Sequence, residues 1–127
     1  MSKELLTIEL EGLPPTVNHL YRSTSTGRRY KTSAGLDYQQ LTANAIIEAW
    51  GDKPPYTGNI ELRLTFLTSN NRRWDIDNRV KAIQDCLSMA GVILDDRQVI
   101  TLHVERHYGT ATKTILTVME ARKNEEV

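Results

Sequence analysis

The chain has 127 residues, 39% of them apolar, with 16 basic and 16 acidic side chains and a formal charge of zero. That length fits one domain over residues 1–127 with a core of its own, and the balanced charge excludes a globally basic nucleic-acid coat. The lone Cys86 excludes an internal disulfide and a four-cysteine zinc site; with no apolar run of about eighteen residues and no leader pattern, the expectation is a cytoplasmic protein with no membrane contact.

Leu5 to Leu10 alternates with Thr7 and Glu9 and reads as a strand, stopped by Gly12-Leu13-Pro14-Pro15 because proline cannot donate to a ladder. Thr16 to Thr32 is polar: either a long loop or a hairpin turning near Ser25-Thr26-Gly27. From His19 to Lys31 it carries Arg22, Arg28, Arg29 and Lys31 and no acid, a locally basic arm suited to DNA phosphates. A helix is predicted from Ser33, taken as its N-cap, to Gly51. Leu36, Ala43, Ile47 and Trp50 share its apolar face, widened by Ala45, Ile46 and Ala49.

Asn59 to Leu67 alternates as a half-buried strand, with Ile60, Leu62, Leu64 and Phe66 inward. After a polar turn, Ile76, Val80, Ile83, Leu87 and Ala90 recur at spacings of four and three, the strongest helical pattern in the chain, and Gly91 ends it. Val99 to Glu105 and Lys113 to Glu120 read as two more strands around a turn near Gly109. The order predicts an α/β (α+β) fold: a single domain with one mixed sheet packed against two main helices.

The densest chemistry lies in Arg72-Arg73-Trp74-Asp75-Ile76-Asp77-Asn78-Arg79-Val80-Lys81, followed after the helix by Asp95-Asp96. Converging carboxylates can hold a hard divalent cation, and arginine or lysine beside them can hold phosphate. At about 100° per residue, Asp77, Lys81, Gln84 and Ser88 form a stripe beside the buried one, with Asp77 and Lys81 near enough to touch. Asp75 falls at or before the first turn. Each piece has an ordinary structural explanation: a helix cap, a turn, a solvated basic face. Their conjunction points to metal-assisted phosphodiester chemistry. An EF-hand loop does not fit, because Arg79 and Val80 stand where it needs an oxygen ligand and glycine. His103 and His107 lack a third ligand and read as strand surface. Trp74 and Cys86 read first as packed side chains, Trp74 with stacking on an unpaired base as its second reading.

Asp75-Ile76-Asp77-Asn78, Lys81 and Gly91-Val92-Ile93-Leu94-Asp95-Asp96-Arg97-Gln98-Val99 resemble the motifs of the RusA family of Holliday junction resolvases. Pro14-Pro15-Thr16-Val17-Asn18 with Tyr21-Arg22 is similar to that family's N-terminal signature. Trp74 departs from it, since a basic residue often precedes the first aspartate. The resemblance implies a homodimeric, Mg2+-dependent endonuclease, Mn2+ being an alternative, that nicks four-way DNA junctions in recombination and repair. It implies Asp75, Asp77 and Asp96 as catalytic metal ligands for one or two ions, and Lys81 as a catalytic lysine acting on the phosphate or leaving oxygen. If the chain is extended through Asp95-Asp96, only one of the two faces the metal, and the resemblance favours Asp96. Arg72, Arg73 and Asn78 join the basic arm as DNA contacts, Asn78 by orienting a water or a carboxylate. A two-fold dimer suits the paired nicks, through the exposed strand edge or the helix bearing Cys86. The competing readings are a non-catalytic nucleic-acid-binding module and another metal-dependent phosphohydrolase.

Overall fold

The computed structural model describes residues 3–16, 21–70 and 74–122. Strand β1 (Glu4–Glu11) leads to a hairpin of β2 (Tyr21–Ser23) and β3 (Arg29–Lys31). Helix α1 (Ser33–Trp50) follows, then β4 (Ile60–Thr68), a 3-10 turn (Ile76–Arg79) and helix α2 (Val80–Met89). A second 3-10 turn (Asp96–Gln98) runs into β5 (Val99–Tyr108), and β6 (Lys113–Glu120) closes the fold. The main sheet has the order β1-β6-β4-β5. β4 lies parallel to β5 and antiparallel to β6, which is antiparallel to β1, so the sheet is mixed as expected.

β4 is the centre of the core because it is paired on both edges and alternates strictly. Ile60, Leu62, Leu64 and Phe66 are fully buried against Ile46, Ile83 and Leu87 of the helices and Leu116 and Val118 of β6. Its other face is less open than its sequence suggests: Glu61 is also buried, paired with the Arg63 guanidinium. On α2 the expected stripe of Val80, Ile83 and Leu87 is buried, with Ala82 and Cys86 beside it.

The helices correct three sequence expectations. The N-cap of α1 is Thr32, whose hydroxyl accepts from Gly35 N (3.0 Å), rather than Ser33. Its inward face is Gly35, Gln39, Thr42, Ala43, Ile46 and Trp50, so Leu36 and Ile47 remain 52% and 46% exposed. The face is turned by about one residue from the apolar pattern, and two polar residues, Gln39 and Thr42, lie on it. Asp95-Asp96 is not extended strand. Asp95 caps the second 3-10 turn, its carboxylate accepting from Arg97 N (2.8 Å) while the Gln98 side chain accepts from Asp95 N (3.1 Å).

Between the two readings of Thr16 to Thr32, the structure takes the hairpin. Gly27 adopts φ 87°, and its N–H donates to Thr24 O (3.0 Å), which tightens the turn.

Candidate functional site

The connection from β4 to β5 sets the geometry. The strands are parallel, with Ile60 opposite Val99 and Thr68 opposite Tyr108, so the chain must travel back along the sheet between them. α2 makes that return. Its N-terminal end therefore sits at the end of the sheet where β4 finishes, and the Asp96 turn sits where β5 starts.

Trp74 fixes the first end. Its ring packs on Phe66 (centroids 5.6 Å apart) and takes the Arg79 and Arg106 guanidiniums at 4.7 and 5.4 Å. Arg106 also donates to Trp74 O, and Arg79 donates to Pro14 O at 2.6 Å. Burial lowers the Arg79 pKa. Trp74 is thus a core-edge residue that positions its neighbours, as its first reading held. Asp75 precedes the 3-10 turn in an extended conformation, its side chain capping nothing, and accepts at its backbone oxygen from Asn78 N (3.3 Å). Asp77 lies in the first turn, where a helix N-terminus favours anions. Both carboxylates are exposed, and neither has a cation partner among the described residues.

A connected network runs along α2 from its first turn. Lys81 does not turn to Asp77, as spacing alone allowed, but to Asp85 one turn further on (Nζ to Oδ1 3.3 Å). Asp85 also accepts from the Tyr21 hydroxyl (3.4 Å) and faces Lys31 Nζ at 4.0 Å. One carboxylate therefore joins α2 to both strands of the basic hairpin. Ser88 Oγ donates to Asp96 (2.9 Å), which brings the second acidic pair onto the same helix face. Partial burial opposes the charge on Lys81, but the hydrogen bond and charge of Asp85, helped by Tyr21 and Asp96, outweigh it and raise its pKa. Burial, then Asp85, raises that of Tyr21. Around these groups lies an open cleft of about 490 Å³, walled by Tyr21 and Lys31 of the hairpin, Gln39 of α1, Asp85, Ser88 and Met89 of α2, and Asp96.

Asp85 is the residue that sequence reasoning missed. It stands four residues after Lys81 and eight after Asp77, a spacing that was available; Gln84 was placed on that stripe instead. Asp95 is salt-bridged to Arg97 (3.0 Å), and its hydrogen bonds from Arg97 hold its pKa down. His103 and His107 both face Glu105, at 3.6 and 3.7 Å. Of the basic arm, Arg29 stacks on the Tyr21 ring (4.5 Å), while Arg22 and Arg28 are exposed on the hairpin. Arg72 and Arg73 lie outside the described residues, as do Val17, Asn18 and His19.

The three expected metal ligands are not gathered into one cluster. Asp77 and Ser88, which holds Asp96, are about 16 Å apart along the helix. Among the described residues no three His, Cys, Asp or Glu side chains converge to hold a metal. The donor chemistry of Asp75 and Asp77 nonetheless fits a magnesium ion, which needs only one or two carboxylates and keeps its waters.

Comparison with known proteins narrows the chemistry. The family described as Endodeoxyribonuclease RusA matches residues 11–119. The chain is 34% identical over 91 residues to the crossover junction endodeoxyribonuclease RusA of Escherichia coli (strain K12), spanning 72% of this chain and 74% of that protein. It is 33% identical over 91 residues to the enzyme of that name from Enterobacteria phage 82, with the same shares covered. Identity to the Aquifex aeolicus (strain VF5) protein of the same name is 27% over 101 residues, spanning 79% of each chain.

Proposed function

We infer that this chain, which belongs to the RusA family, acts as a crossover junction endodeoxyribonuclease that resolves four-way (Holliday) DNA junctions by paired nicks. The observation that carries the reading is the exposed face of α2. It presents two carboxylates at its head with no cation partner among the described residues, and one turn on a lysine paired with Asp85, which lines a cleft. Asp75 and Asp77 would hold Mg2+ or Mn2+, with Asp96 as the third carboxylate of the set. Such an ion, when bound, neutralises phosphate charge and lowers the pKa of a water. Lys81 places an ammonium beside the phosphate as a point charge. Asn78, half-buried beside Asp75, orients a carboxylate or a water. The hairpin arginines Arg22, Arg28 and Arg29, with Lys31, grip the DNA backbone; Arg72 and Arg73, which lie outside the described residues, are further DNA contacts on this reading.

The test is a labelled synthetic four-way junction incubated with the protein and Mg2+, beside a linear duplex and a nucleoside triphosphate. Nicked duplex from the junction, abolished by EDTA, is the expected result. Binding without nicking would favour a non-catalytic module, and triphosphate hydrolysis another phosphohydrolase.

The placement of the carboxylates supports a homodimer. Asp75 and Asp77 stand at one end of α2 and Asp96 at the other. Two copies related by a two-fold axis beside this face, with its cleft left open to DNA, would bring the Asp75–Asp77 end of each near the Asp96 end of its partner, forming two equal sites for two nicks. The Cys86 side of α2 is closed to partners, because Cys86 is fully buried in the core. Mixing Asp77→Asn with Asp96→Asn chains tests this arrangement. Mixed dimers with one restored site should nick one strand, whereas sites built within single chains would stay inactive. The lone Cys86, whose thiol burial pushes up to about 12, fits a reducing cytoplasm.

A further inference from the structure

Gln39 lies outside every motif in the sequence, yet it lines the cleft beside Lys31, Asp85 and Asp96. It is only 3% exposed, and its amide nitrogen donates to no described group. A buried N–H without an acceptor carries a desolvation cost that a solvated one does not, so such groups are rare unless something comes to meet them. The other polar groups of the cleft are already engaged. Tyr21 and Lys31 face Asp85, and Ser88 donates to Asp96. The spare donor therefore suits an incoming acceptor. A volume of about 490 Å³ falls in the ordinary range of small-ligand sites, large enough for more than a bare ion.

We propose that this cleft seats one nucleotide of the bound strand, with Gln39 donating its amide to a phosphate oxygen; the inference rests on the endonuclease reading above. The carboxylates of Asp85 and Asp96 face the same space, so positive charge alone does not draw a phosphate here. Lys31, held by Asp85 only at 4.0 Å, is the cation most easily released to the ligand. The neutral amide, fixed by burial, then decides where the phosphate sits.

Gln39→Met tests the assignment because it keeps the volume and removes the donor. A purely structural glutamine would lose stability on this change. The expected result is an unchanged or higher thermal midpoint, since an unsatisfied group is removed, together with roughly tenfold weaker binding of a four-way junction in EDTA. Unchanged affinity overturns the proposal. Should that variant fail to fold, the wild-type protein decides by NMR. The Gln39 side-chain amide resonances should shift on saturation with a short single-stranded oligodeoxynucleotide, and resonances that do not move overturn it. A protein that binds DNA through Gln39 but nicks no junction keeps the cleft and loses the endonuclease reading; nicking with unchanged Gln39→Met affinity does the reverse.

Discussion

The two ends of one helix face treat charge in opposite ways. At the head of α2, Asp75 and Asp77 are exposed and carry no cation among the described residues. Further along, Asp85 is compensated by Lys81, Lys31 and Tyr21, and Asp96 is held by Ser88. An exposed carboxylate needs no partner for stability, so two can stand together here without one, in line with the proposed metal site. A carboxylate partly withdrawn from water needs compensation, and here the compensating groups are those that a phosphate would also want. On the proposed reading, one end receives a cation and the other holds cations and donors for an anion.

The largest effect expected is at the uncompensated end. Asp77→Asn should slow junction cleavage by more than about a hundredfold, beyond the usual loss from a group one step removed from a metal. Junction affinity in EDTA should stay within about twofold. Cleavage near the wild-type rate would break the comparison at its root. Next is Asp85→Asn, which keeps the shape and removes the charge. Cleavage should slow by about tenfold through kcat rather than KM, as Lys81 loses its holder. Asp85→Glu should restore most of it. In a Lys81→Ala background the same change should add little, because residues that act as a pair are not additive. Full additivity would show that Asp85 serves the fold and not the lysine.

Much of this was legible in the sequence. Strict alternation in Ile60 to Phe66 marked the central strand, and the spacing of Val80, Ile83 and Leu87 marked the buried side of α2, because both patterns report directly on which face avoids water. α1 was mis-phased because its buried face includes Gln39 and Thr42, and a polar residue turned inward for a cleft looks like a solvent residue in any pattern of hydropathy. Asp85 was passed over for a related reason. Its partners Tyr21 and Lys31 lie more than fifty residues away, and no local spacing announces a contact made by tertiary folding. The separation of Asp77 from Asp96 was hidden too. It depends on β4 and β5 being parallel, which obliges α2 to run between the ends of the sheet.

The basic hairpin offers a middle-sized test of the compensated end. Arg28→Ala with Arg29→Ala should weaken junction binding at low salt and lower the slope of affinity against salt by about two, one for each phosphate no longer neutralised. Arg29 also covers the Tyr21 ring, so the pair could act by unseating the hairpin instead. Arg28→Ala alone separates the two causes, because the Arg28 side chain is exposed. It should lower the slope by about one and leave hydrogen exchange in the hairpin unchanged.

The smallest effect expected is from Ser88→Ala, and it is the most discriminating. Ser88 donates its hydroxyl to Asp96, so its loss frees one carboxylate without altering the charge of the face. If Asp96 must be held at the cleft, cleavage should fall about threefold, near the net worth of one ordinary hydrogen bond. If Asp96 instead works by leaving Ser88 to join the Asp75–Asp77 end of a second copy, the same change releases it. Cleavage should then hold steady or rise, most visibly at limiting Mg2+. The sign of that change, read in one titration, tells whether the two ends of α2 work apart or together.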